Sequence, residues 1–542
     1  MQMMTSPFLA FERKAVSRPE LPFLVAPASA ALPYAPEGFR HSYGEVLVLI
    51  EALRVQLVAA GYGHGSRVAL LLQNRPDFFV HWLALNAIGA SIVPINPDMR
   101  PDELAFQIEV SRAELIVAYP EFDELVTAGT PHGFASMHPG ESIPAASARR
   151  SAGGGRPADE CALLFTSGST GKPKACILTN AYFMKLAKWY VTQGGIASME
   201  EDREVALTPL PLFHMNALGC TTVGMIVVGG AIVPLDRFSA RKWWQTVADS
   251  GATIVHALGV IPAILLQLPE HPAERAHRAR FMLGPGVDAR HKTVFEQRYG
   301  LPIVEAWAMT ETGGAAVTST ARDIYEAGRR CIGRPREGME FRIVDETGSD
   351  VAVGTPGELW VRASAKDPRR GFFAGYLGDE QATEEAWAGG WFHTGDVVYA
   401  DEDGLLYFFD RMKSIVRRSG ENIAVLEVEA ALMANPDVEV VGVTPVSDEI
   451  RGEEVFAFVV PRLPVEPGRE TEQAMALLVH AAARLSYHKL PGHVAFTGKL
   501  PVSSTQKVQR GVLRSEAQRL VDAGLSIDLR ERKAGFRHTS LS

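Results

Sequence analysis

Cysteine is scarce. Four thiols, at positions 161, 176, 220 and 331, stand in 542 residues, and none forms a CxxC pair. That pattern excludes a disulfide-framed scaffold and a thiolate metal site. It fits a reducing compartment, with the cytoplasm as the expected location. Charge of one sign does not accumulate either. The formal net charge is −9, with no long run of like charges, so the basic footprint of a nucleic-acid binder is missing. Long apolar runs are also absent. The best membrane candidate, Met215 to Leu235, carries no charge but contains Gly219, Gly224, Gly229, Gly230 and Pro234. It reads as a buried helix, a Gly-Gly turn and a short buried strand, so no transmembrane segment is expected. The N-terminus lacks a basic segment followed by an apolar one, and no signal peptide is expected. No internal repeat is found.

What is present is an ordinary globular composition, 46% hydrophobic and 22% charged, in a chain too long for one hydrophobic core. Ser42-Tyr-Gly-Glu45 has the spacing of a capping box. Behind it Val46, Leu49, Ile50, Leu53 and Leu57 repeat at helical spacing up to Gly61. Val68 to Leu72 reads as a buried strand. Helix and strand signals alternate onward to Val117, which argues for α/β layers with largely parallel sheets. Residues 142 to 158 are rich in Ala, Ser, Gly, Arg and Pro and read as a flexible surface connection. From Gly338 short β-type runs appear (Phe341–Val344, Glu358–Val361, Leu405–Phe409). A compact strand, helix (Val425–Met433), strand, strand, helix pattern then reaches about residue 520. The expected architecture is α/β: a large N-terminal domain of layered subdomains with a small β-rich subdomain (1–410), and a small mobile C-terminal α+β domain (411–520). A flexible tail is expected over 521–542.

The most informative segment is Leu163-Leu-Phe-Thr166-Ser167-Gly168-Ser169-Thr170-Gly171-Lys172-Pro173-Lys174. An apolar strand runs into small and hydroxylated residues and then two lysines. Glycines let backbone N–H groups approach an anion, while the hydroxyls and lysines add donors and charge. It is not a Walker A loop, because Pro173 follows Lys172 where Ser or Thr is needed. The alternative is a mobile Gly/Ser hairpin tip. A second glycine segment, Gly284-Pro285-Gly286-Val-Asp-Ala289, fits a relaxed dinucleotide fingerprint, with Glu305 near the ribose-acid spacing. Pro285 and the mid-chain position argue against a nicotinamide site. A loop packing its backbone on a flat ring remains open.

These segments, with Trp307-Ala-Met-Thr310-Glu311, Thr394-Gly-Asp396, Asp410-Arg411-Met-Lys413 and Lys507, resemble the adenylate-forming superfamily. Its members are acyl-CoA synthetases, peptide-synthetase adenylation domains and luciferases. The likeness covers about residues 40 to 515, with the motifs in the family's order. Arg418-Ser-Gly-Glu-Asn-Ile423 followed by Glu427-Val-Glu429 is similar to crotonobetaine/carnitine-CoA ligases. Taken singly, Trp307 could be core packing, Asp396 a turn and Glu311 a helix cap. Their order along the chain favours the functional reading.

The resemblance implies an ATP-dependent carboxylate–CoA ligase that joins a small carboxylic acid to AMP and then passes the acyl group to coenzyme A, as in fatty acid metabolism. It implies that Thr166–Lys172 holds the β- and γ-phosphates. Glu311, with Thr166, would bind Mg²⁺. Thr310 would donate to the α-phosphate and Trp307 would stack beside adenine. Gly284, Pro285 and Gly286 would pass along the other adenine face, and Asp396 and Arg411 would contact the ribose. Lys507 would bridge carboxylate and α-phosphate in the adenylation step. The C-terminal domain would then swing about Asp410, a loop carrying Gly420 would line the thiol tunnel, and His214 would gate it. Ala257, Leu258, Gly259, Met309 and Gly313 would line the acyl pocket. The chain departs from the family at Gln506 (commonly Gly), Ala175 (Gly), Ser414 (Asp) and Val425 (Pro). None of these removes a charged group assigned to adenylation. Two alternatives stand beside this reading: transfer to a carrier-protein thiol, and a nucleotide-binding protein without catalysis. Oligomeric state is not legible.

Overall fold

The computed structural model describes all residues except 1–4, 167–172, 288, 325–328, 337, 412–414, 419–420, 449–450, 486, 503–507, 534 and 537–542. Two largely parallel sheets dominate the N-terminal part. One runs in the order Ile303–Val304, Phe281–Leu283, Ile254–His256, Val205–Thr208, Ala231–Pro234, Pro22–Pro27, Gly38–Ser42. The other runs Ser136–Met137, Leu115–Ala118, Arg67–Leu71, Ser91–Pro94, Glu160–Thr166, Lys174–Thr179. Only the last pair of each sheet is antiparallel. The parallel strands are apolar nearly throughout, because helices cover both of their faces. A third sheet of seven short strands, from Ala306–Trp307 to Glu340–Val344, is antiparallel.

Local chemistry explains the boundaries. Ser42 and Glu45 form both bonds of a capping box at the start of the helix Tyr43–Ala60. Gly61 ends that helix in the left-handed region at φ 101°, where glycine is favoured. The uncharged stretch after Met215 becomes a π-helical turn (Asn216–Val223), a short α-helix (Gly224–Val228) and the strand Ala231–Pro234, all in the interior. No helix among the described residues is long and apolar enough to cross a membrane.

Two expectations need correction. The small-residue segment 142–158 is pinned as a strap. Ala146, Arg150 and Gly153 donate their N–H groups to the carbonyls of Ala60, Gly61 and Ile88. Small side chains serve close backbone approach there, since a Cβ at Gly154 would strike the carbonyl of Asn86. The second correction concerns the tail, expected to be flexible from residue 521. Ile527–Asp528 instead adds an antiparallel strand to His493–Phe496. Lys533 lies buried with its ammonium on Glu454 Oε1 at 2.7 Å and on the Leu490 carbonyl at 2.6 Å. Arg418 completes this ion triad at 2.9 Å. A buried carboxylate demands such partners, and polarity alone had suggested a loose end. The C-terminal sheet closes over its own apolar core, with Val416, Val425, Val443, Val455 and Leu478 at its centre.

Candidate active site

Ser167 to Lys172, Gly420 and Lys507 lie outside the described residues, and the site is built from what surrounds them. The strand Glu160–Thr166 pairs antiparallel with Lys174–Thr179, Thr166 facing Lys174. The phosphate motif is therefore the connection of a hairpin, as the strand-like run after Lys174 suggests. Segment 374–377 pairs along the outer side of this hairpin: Ile177 N–H donates to the Gly375 carbonyl, and Leu377 N–H to that of Ala175. That pairing delivers Tyr376.

Tyr376 meets Glu311. The Glu311 side chain is 6% exposed. Its Oε1 accepts from the Tyr376 hydroxyl at 3.0 Å and from the Thr166 hydroxyl at 3.3 Å. Among the described residues the groups that meet it, these two hydroxyls and the Cys176 thiol, are neutral, and no cation pairs with it. Lys174 stands nearby without touching it, 4.9 Å from the Tyr376 ring centre and 3.6 Å from Asp379. A buried carboxylate with no counter-ion among the described residues, next to a hydroxyl oxygen and beside a phosphate hairpin, suits a hard divalent cation that arrives with its own phosphate ligands. No cluster of three or more acidic, His or Cys ligands exists among the described residues. Thr310 sits beside Glu311. Its carbonyl accepts from the Tyr182 hydroxyl at 2.8 Å, while its own hydroxyl makes no bond among the described residues. The same Tyr182 ring lies where a Cβ on Gly313 would go, and Gly313 is left-handed at φ 48°.

The second acid is Asp396, 1% exposed. The Trp307 indole N–H donates to its Oδ2 at 2.8 Å, and Arg411 Nε lies 2.9 Å from its Oδ1. Arg411 is its cross-strand neighbour. Burial pushes the Asp396 carboxyl above its ordinary range, while Arg411 and the indole pull it down. Trp307 is buried, and its indole N–H orients Asp396.

Gly284, Pro285 and Gly286 form the turn after the strand Phe281–Leu283. Glu305 holds that turn: its carboxylate accepts from Gly286 N–H at 2.6 Å, Ala306 N–H at 3.2 Å and Val287 N–H at 3.3 Å. Burial raises it to about 8. The spacing that mimics a ribose acid thus belongs to a loop anchor. Gly286 is left-handed at φ 76°, and a Cβ on Gly259 would collide with its carbonyl. The two glycine segments therefore touch, which the sequence did not reveal.

His214 is half-buried at the head of the π-helical turn, its ring 4.7 Å from that of Phe213. Behind it lies a polar network in the core. Fully buried His256 has Nε2 at 2.5 Å from the Tyr190 hydroxyl, and Nδ1 at 2.9 Å from both Thr221 Oγ1 and Asn216 Oδ1. Burial lowers this imidazole to about 3, so the ring is neutral. It immediately precedes Ala257, Leu258 and Gly259.

In the C-terminal part, the residues flanking 503–507 are held in place. Val502 bridges Val508, and Gln509 N–H donates to the Pro501 carbonyl. Arg510 grips Glu429 with both Nη atoms at 2.7 and 2.9 Å, and the Val443 carbonyl at 2.9 Å. Sequence reading missed Tyr376, Tyr182 and this clamp, because each acts across 65 residues or more.

An α/β protein with two buried carboxylates set around a phosphate-type hairpin and a glycine turn is a nucleotide-dependent enzyme in its architecture. The sequence matches the AMP-binding enzyme family over residues 11–377 and the AMP-binding enzyme C-terminal domain over 427–507. The chain belongs to this family. It is 30% identical to the crotonobetaine/carnitine–CoA ligase of Citrobacter koseri, over 83% of this chain and 88% of the relative. It is 29% identical to the sulfoacetate–CoA ligase of Cupriavidus necator, over 93% and 96%. Its fold superposes on a benzoate CoA ligase from Burkholderia xenovorans LB400 with a TM-score of 0.78 at 21% identity, covering 94% of this chain and 99% of that one.

Proposed function

We infer that this protein is an ATP-dependent carboxylate–CoA ligase, an AMP-forming acid–thiol ligase. The observation that carries the reading is the environment of Glu311, a buried carboxylate met among the described residues by neutral groups beside the phosphate hairpin, in a chain whose named relatives are CoA ligases. In the first half-reaction an oxygen of the substrate carboxylate bonds to the α-phosphorus of ATP and pyrophosphate leaves. Bringing two anions together needs positive charge and fixed donors. Glu311 and Thr166 would hold Mg²⁺, which would neutralise phosphate charge when bound. The segment from Thr166 to Lys172 receives the β- and γ-phosphates, and the hydroxyl of Thr310 donates to the α-phosphate. Asp396 and Arg411 take the ribose hydroxyls, and the glycine turn at Gly284–Gly286 flanks the base. Lys507 meets the charge that builds between the two reactants.

In the second half-reaction the CoA sulfur bonds to the acyl carbon, AMP leaves and the thiol proton passes to solvent. For this step we propose that the C-terminal part, from about residue 411, rotates about Asp410. Lys507 is then withdrawn, Gly420 approaches the thiol path, and His214 opens it. CoA is favoured over a carrier-protein thiol by the acceptor named for the relatives. The test is Lys507→Ala in separated half-reactions. Pyrophosphate release should fall by about 100-fold or more, while thioester formation from supplied acyl-adenylate stays near wild type. Equal losses in both halves would remove Lys507 from the adenylation step.

A further inference from the structure

Arg330 belongs to none of the motifs above. It immediately precedes the strand Cys331–Pro335, and its carbonyl accepts from Phe408 N–H at 2.9 Å. That bond seats it beside the strand that carries Arg411. Its guanidinium carbon stands 4.7 Å from the centre of the Phe408 ring. In the adjoining pair of strands Asp396 faces Arg411 and Val398 faces Phe408, with a register shift between the two pairs. One residue separates Asp396 from Val398, whereas two separate Phe408 from Arg411. The extra residue is a bulge, and it lets both cross-strand partners share the face that carries Asp396. Arg330 therefore covers a ring on the same face as the proposed ribose acid.

Two facts about this guanidinium stand apart from the packing. Its Nη1 is buried and has no hydrogen-bond partner among the described residues. It also lies close enough to Glu305 and Asp396 to favour the ionised form of both. A guanidinium cannot shed its proton, and a buried donor left without an acceptor is costly. An acceptor from outside the described chain resolves this. The two acids that bracket Arg330 are the anchor of the glycine turn and the proposed ribose acid, so the acceptor lies at the base-and-ribose end of the nucleotide.

We propose that Arg330 is a further nucleotide-binding residue, its Nη1 N–H donating to a ribose hydroxyl oxygen or a purine ring nitrogen of ATP. This rests on the assignment of Asp396 to the ribose. The competing role is a structural counter-ion for Glu305 and Asp396, which would need no ligand.

The experiment uses full-length Arg330→Met and Arg330→Lys. Steady-state constants for ATP, the acid and CoA are measured along with the dissociation constant for AMP alone and the thermal midpoint. The expected result for Arg330→Met is a roughly tenfold rise in both the ATP KM and the AMP Kd, with kcat and the other two KM values within about twofold. Arg330→Lys should recover part of the loss. With 2′-deoxy-ATP, 3′-deoxy-ATP and 7-deaza-ATP, the analogue lacking the accepting atom should bind wild type and Arg330→Met alike, and so identify that atom. An ATP KM and AMP Kd within twofold of wild type would reduce Arg330 to a counter-ion. So would a lowered thermal midpoint with all KM values rising together. Asp396→Asn separates the two levels of inference. If it leaves the ATP KM unchanged, the ribose assignment fails and the Arg330 proposal fails with it. If it raises the ATP KM while Arg330→Met does not, only the Arg330 proposal fails.

Discussion

Asp396 and Glu311 are both buried carboxylates, and their surroundings are opposite. Asp396 is met by a guanidinium and an indole N–H. Its charge is largely balanced before any ligand arrives, and what remains is directional hydrogen bonding suited to hydroxyls. Glu311 is met by Thr166 and Tyr376, two neutral hydroxyls that orient it without cancelling its charge. In a low-dielectric setting an unbalanced carboxylate attracts a cation strongly. The contrast teaches that burial alone does not assign a role. The charge of the partners separates a group that binds sugar from one that binds metal.

The hardest test of this contrast is Glu311→Gln. The amide keeps the shape and loses the charge. Pyrophosphate release should drop by about 100-fold or more, with a Mg²⁺ titration shifted to higher concentration. An unchanged titration would show that the metal binds elsewhere. Asp396→Asn should cost less, because an amide can still accept a hydrogen bond from one ribose hydroxyl. A rise of roughly tenfold to hundredfold in the ATP KM, at an unchanged Mg²⁺ requirement, follows from losing charge-assisted bonds. A shifted metal requirement in this variant would erase the distinction between the two acids.

Tyr376→Phe is a finer probe. It removes one hydroxyl from Glu311 and leaves the ring under Lys174. A net hydrogen-bond contribution of about 1 kcal/mol predicts a roughly fivefold loss in pyrophosphate release. A loss as large as that of Glu311→Gln would make Tyr376 a participant in the chemistry, beyond orienting the acid.

The smallest effect concerns a third buried group, His256, which has no charged partner. The folded protein keeps its ring neutral, with the pKa lowered by burial from 6.5 to about 3. The unfolded chain takes up a proton below about 6.5 that the folded chain refuses. Stability contributed by the neutral ring is therefore complete above pH 6.5 and declines as pH falls toward 3. Thermal midpoints measured across that interval should fall less steeply in His256→Gln. Parallel curves for the two proteins would place the acid sensitivity elsewhere.

Much of the scaffold was legible from residue order. The capping box at Ser42, the helix Val425–Met433, the strand after Lys174 and the buried character of Met215–Leu235 all follow from local periodicity and turn chemistry, which act over a few residues. The strap at 142–158 and the ordered segment around Lys533 escaped that reading, because polar composition does not show which backbone groups will find partners at a distance.

The same division runs through the site. The sequence by itself determined which chemical groups are available and in what order: hydroxyls and lysines after an apolar strand, one acid after Thr310, another after Gly395, and a lysine at 507. Those groups are contiguous motifs, so their spacing carries them. Only the tertiary structure decided what each acid meets. Tyr376 reaches Glu311 because segment 374–377 pairs beside the phosphate hairpin. Trp307 becomes a prop for Asp396, which stands 89 positions further along the chain. Glu305 changes from an apparent ribose acid into the anchor of the glycine turn. The electrostatic character of a buried carboxylate is set by partners distant in sequence, and local spacing holds no record of them.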